Sequence, residues 1–115
     1  VIEVLEYCQE QQSELMKPWA NPTGLATGIL DDITYDWMGV VRSLLLSSGG
    51  SVVASEEQVM QASELVPSVG IQTEPTGAAS VAGAINLFES GQIDVQTTIA
   101  VLLTGKDRSI NQGFD

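Results

Sequence analysis

The sequence predicts an α/β fold, a parallel-sheet core flanked by helices. Three observations predict it. Short apolar or β-branched runs at residues 1–5, 51–54, 71–73 and 97–103 alternate with longer stretches of helical periodicity. That is the order a parallel sheet needs, because parallel neighbours are joined by a connector of about a dozen residues or more, usually a helix. The helical stretches stop at Pro or Gly, and no internal repeat or low-complexity tract breaks the alternation.

Taken in order, residues 1–5 read as a short strand. The Glu- and Gln-rich stretch up to Met16 suits a solvated helix with Leu5, Cys8 and Gln12 on one face. Residues 17–25 hold Pro18, Asn21, Pro22 and Gly24 and read as a connecting loop. From about Thr34 to Leu46, the residues Trp37, Val40, Val41, Leu44 and Leu45 recur at helical spacing. Gly49 and Gly50 then offer a left-handed cap. Residues 51–54 form a short strand, and Ser55 with Gln58 fits a capping box opening a helix over 56–66 that Pro67 breaks. A further short strand at 71–73 precedes a helix over 76–89, with Gly91 just past its end, and the final strand covers 97–103.

A chain of 115 residues supports one modest domain, and 43% apolar with 17% charged residues describes a folded rather than a disordered one. Four basic residues against 15 acidic ones give a net charge of −11, which disfavours nucleic acid and anionic membranes as partners. The longest apolar run, residues 99–103, is far short of a bilayer span, and no basic-then-apolar leader opens the chain. The expectation is a cytoplasmic protein with no membrane partner. Cys8 is the sole cysteine and reads as an inert small residue; with no His present, zinc sites and Ser-His-Asp chemistry are excluded from this chain. Trp19 and Trp37 read as packing anchors. Asp31, Asp32 and Asp36 read as complements to a helix dipole rather than as a cation site.

Two segments carry candidate chemistry. Thr76 to Ala84 is a helix start made almost wholly of small residues, with Pro75 in the first turn and Glu74 just ahead. Small side chains let a backbone or a flat ligand come close, although tight helix packing explains them equally. Thr104-Gly105 closes the last apolar run, and in open α/β sheets ligands gather at the carboxyl ends of strands. A plain strand-terminal turn explains that pair as well. Together, in this order and spacing, the two segments are more specific than either alone.

In combination they resemble threonine synthases and related pyridoxal-phosphate enzymes of fold type II, the tryptophan-synthase-β group. Those enzymes have a similar Glu-Pro, small-residue helix start followed by a strand ending in Thr-Gly or Ser-Gly. The segment 26–37 and the helix start at Ser55 are similar too, so the resemblance covers most of residues 20 to 108. It implies the C-terminal part of a large cofactor-binding domain, here residues 1–115, with pyridoxal 5'-phosphate as cofactor. It implies that Thr104 hydrogen-bonds the pyridine nitrogen, with Gly105, Glu74 and Thr76 on the cofactor side. A neutral hydroxyl at that nitrogen leaves the ring nearer neutral than a carboxylate would, which suits elimination and replacement better than transamination.

The resemblance also implies a Schiff-base lysine and a Gly-rich phosphate loop, and neither Lys17 nor Lys106 stands in such a context. The expectation is therefore a C-terminal piece of a longer lyase, inert alone and containing no catalytic residue of its own. The parent would act on a small amino-acid substrate such as O-phosphohomoserine, and association with another copy would hide apolar faces left open. Residues 28–34 and 106–108 depart from the threonine synthase pattern, which leaves open a β-replacement enzyme with another substrate. A different class of reading is a non-catalytic acidic α/β assembly or regulatory module.

Overall fold

The computed structural model describes residues 1–106. Among these residues the architecture is helical: α1 (Ile2–Glu10), α2 (Gln12–Leu15), a 3-10 turn (Thr27–Ile29), α3 (Trp37–Ser47), α4 (Glu56–Ser68) and α5 (Pro75–Glu89), with no strand. This overturns the expected parallel-sheet α/β core. Residues 1–5 belong to α1, where Leu5 N–H donates to the Val1 carbonyl at 3.0 Å. A short apolar run fits a helix as readily as a strand, and here the i to i+4 bond decides it. Residues 51–54, 71–73 and 97–103 are irregular. β-branched composition favours a pleated surface only where a neighbouring strand completes the ladder, and no such neighbour is present among the described residues. Leu102 illustrates this: it is 81% exposed, and its carbonyl accepts from the Ser80 hydroxyl at 2.8 Å instead of from a strand.

The described residues fold as two compact units that interleave in sequence: residues 1–22 with 31–51, and residues 23–30 with 52–106. In the first unit α1 lies against α3, burying Cys8 and Trp37. Trp37 at 8% exposed is the packing anchor its spacing predicts, whereas Trp19 is 54% exposed. An open hollow of about 890 Å³ lies between the two helices, lined by Leu5, Met38 and Leu46 among others. α3 ends on Ser48, which itself takes the left-handed conformation at φ 54°, one residue before the expected glycines. Gly49 N–H then closes the turn on the Leu44 carbonyl at 2.9 Å.

In the second unit α4 and α5 form an antiparallel pair, since Gln58 in the first turn of α4 reaches Glu89 at the end of α5. The capping box is formed: Ser55 Oγ accepts from Gln58 N–H at 3.2 Å, and Gln58 Oε1 accepts from Ser55 N–H at 2.9 Å. Pro67 sits in the final turn of α4, where it removes an N–H that would bond the carbonyl four residues back, and the helix ends one residue past it at Ser68. Gly70 at φ 84° then reverses the chain toward Pro75, the first residue of α5. The seam between the helices is Val59 and Ala62 against Ala78 and Ala82, with the three alanines 0% exposed. Burying Val59 and Val66 supplies about 1.5–3 kcal/mol each. Gln58 ties the same helices at their open end: Nε2 donates to Glu89 Oε2 at 2.6 Å, and Oε1 accepts from Asn86 Nδ2 at 3.3 Å.

Ala78→Leu inserts volume into a seam with no room for it and is expected to destabilise the protein by about 1–3 kcal/mol in urea unfolding. Gln58→Glu keeps the cap acceptor but turns the donor to Glu89 into a second carboxylate. It should cost about 1–3 kcal/mol in the same measurement, against about 1 kcal/mol for Ser55→Ala.

Candidate functional site

The sequence-predicted residues converge on the start of α5. Glu74 is its N-cap residue, with no side-chain cap bond of its own, and Pro75 fills the first helical position. Pro lacks an N–H, so the backbone at Thr76 and Gly77 is the first that can donate there. The chain returns to this point at its far end. Thr73, 8% exposed, donates its hydroxyl to the Gly105 carbonyl and lies 3.3 Å from the Glu74 carbonyl.

Two glycines make the return flush. A methyl group on Gly77 would overlap the Gly105 carbonyl oxygen and Thr73 Oγ1. A methyl group on Gly105 would stand 2.9 Å from both Glu74 Oε1 and Gly77 N, tighter than ordinary contact. The Glu74 carboxylate therefore lies beside Gly105, and the exposed Thr104 is the next residue along. Glu74 and Gly105 are thus brought together at the start of α5, with Thr104 preceding Gly105 in the chain.

Thr76 is used differently from the sequence expectation. Its Oγ1 accepts from Gly28 N–H at 2.9 Å, so it holds the loop 23–30 onto the helix start. The same loop is held a second time, where Glu56 Oε2 accepts from Leu25 N–H at 2.7 Å. Gly24 and Gly28 permit both contacts, because a Cβ at either would come within 3.0 Å of the Glu56 or the Thr76 side chain. A hydroxyl that accepts from Gly28 still has its own proton to donate.

Sequence reasoning gave no contact to Thr73 or Glu56, and Gly77 and Ser80 entered it only as small residues of the segment Thr76 to Ala84. Gly77 and Ser80, three residues apart on α5, share one helical face, whereas Thr73 precedes the N-cap Glu74 and carries no helical spacing signal. A shallow apolar hollow of about 390 Å³ lies away from these residues, between the later turns of α5 and residues 93–99, lined by Val81, Ile85, Phe88 and Ile99 among others. Among the described residues no helix is long and apolar enough to cross a membrane.

No protein-family model matches the chain. Curated relatives do. It is 32% identical over 92 residues to the threonine synthase of Mycobacterium bovis, a match covering 79% of this chain and 26% of that protein. It is 30% identical over 89 residues to the threonine synthase of Methanocaldococcus jannaschii (76% and 22%), and 33% identical over 85 residues to that of a Bacillus species (73% and 24%). The chain thus spans about a quarter of the length of the relatives it matches.

Thr76→Val keeps the shape but removes the acceptor for Gly28 N–H. It is expected to cost about 0.5–1.5 kcal/mol and to speed hydrogen exchange at the Gly28 amide, while the amides of mid-α4 stay as protected as before.

Proposed function

We propose that this chain is part of a pyridoxal-phosphate-dependent lyase of the threonine synthase kind, acting on a small amino-acid substrate such as O-phosphohomoserine. The observation that carries the reading is the similarity to threonine synthases along 92 residues, together with the convergence of Thr104, Gly105 and Glu74 at the start of α5. Because the relatives are about four times longer than the matched stretch, the lysine and the phosphate-binding loop are assigned to parts of the protein outside this chain. A cytoplasmic setting belongs to the same proposal.

The residues present fit the ring side of this cofactor. Thr104 is exposed at the end of a returning segment, next to Gly105, whose backbone packs against Gly77. When bound, pyridoxal phosphate supplies the electron sink for elimination and replacement at an amino acid. The chain's own contribution is to hold and orient. The Thr104 hydroxyl would hold the pyridine nitrogen without bringing a formal charge, which would moderate the withdrawal of electrons into the ring. The Glu74 carboxylate stands beside Gly105 and supplies negative charge on the same side. Thr76 keeps loop 23–30 seated on the helix start.

The test uses the whole protein that contains this chain. Thr104→Ala is expected to weaken cofactor retention or shift the visible absorption band of the bound cofactor, and to slow phosphate release from O-phosphohomoserine. An unchanged spectrum with unchanged turnover would overturn the assignment.

A further inference from the structure

We propose that Thr73 is a positioning residue whose hydroxyl fixes the register of residues 102–105 along α5 and so decides which way Thr104 faces. The link to Thr104 chemistry rests on the function proposed above. The grip itself stands on geometry alone.

Thr73 is nearly buried, so its hydroxyl needs a partner inside the protein, and that partner is the Gly105 carbonyl. Seven positions along, Ser80 Oγ donates to the Leu102 carbonyl at 2.8 Å. Gly77 lies between them with no side chain, and the Gly105 backbone occupies the place where one would be. Thr73 stands one residue ahead of the N-cap Glu74 and Ser80 in the second turn of α5, while the carbonyls they hold are three residues apart in reverse order. Residues 102–105 therefore run antiparallel to the start of α5, held at both ends by hydroxyls.

In an extended chain, successive side chains point to opposite sides. Leu102 and Thr104 are exposed while Leu103 is partly buried, the alternation this register produces. A slip of one residue would turn Thr104 toward the helix and Leu103 outward. Thr73 guards against that slip, since its bond is made only when Gly105 is the residue opposite.

Thr73→Val and Thr73→Ser in the whole protein test the proposal by two readouts. The first is the rate of tryptic cleavage after Lys106, which requires residues 103–106 to leave the helix face. The second is titration of the protein with pyridoxal 5'-phosphate, followed by absorbance. Thr73→Val is expected to be cleaved, and to release cofactor, about five- to tenfold more readily than wild type. Thr73→Ser should restore both. Wild-type cleavage in Thr73→Val, or faster cleavage with unaltered cofactor affinity, would overturn the positioning role. A wild-type protein that binds no cofactor would remove the proposed function instead, and the cleavage comparison would then uphold or overturn the grip by itself.

Discussion

The second unit depends on how closely two helices approach through alanine. With Ala62, Ala78 and Ala82 fully buried, the separation of α4 from α5 is set by methyl groups and Val59, and anything larger on this seam pushes the pair apart. α5 has a second close neighbour, the returning backbone that lies along Gly77 and Ser80 and is held by Thr73 just ahead of the helix. A helix covered tightly on two sides has little room for bulk on either. That accounts for the near-total absence of large side chains from Thr76 to Ala84.

Helix ends were legible because they are local. The Ser55 and Gln58 box, Pro75 at the first position of α5, and Gly91 just past its end are written in residues a few positions apart, and the structure uses all three. The left-handed cap of α3 was legible in kind but fell on Ser48, one residue before Gly49. Strands were misread because a strand is not local: the run 97–103 has the right composition, but β structure is a property of a pair. The same distinction divides the site. Glu74, Thr76, Thr104 and Gly105 stood out by residue type and order. The service of Thr76 to Gly28 joins positions 48 apart in sequence, and nothing near either residue announces it.

Without a sheet, the irregular segments of this unit meet their hydrogen-bonding needs through side chains. Hydroxyls of Thr73 and Ser80 take carbonyls of the tail, Thr76 and Glu56 take N–H groups of the loop, and Asn86 takes the Val53 carbonyl at 3.2 Å. Each such bond has a net worth of about 1 kcal/mol, yet a buried carbonyl or hydroxyl left without one costs more. The polar groups of α4 and α5 therefore do for the neighbouring backbone what strands would do for each other. They fix position as well as energy, because a side chain reaches only one place.

The interleaving of the two units makes order of synthesis matter. Loop 23–30 leaves the ribosome ahead of both its anchors, Glu56 and Thr76, which follow Leu25 and Gly28 by 31 and 48 positions. At roughly 5–20 residues per second the second anchor trails by about 2–10 s. For that interval the loop's glycines are free to wander, and the residues on either side of it can settle first. A nascent chain stalled short of Thr76 would therefore carry a largely finished first unit around an untethered loop.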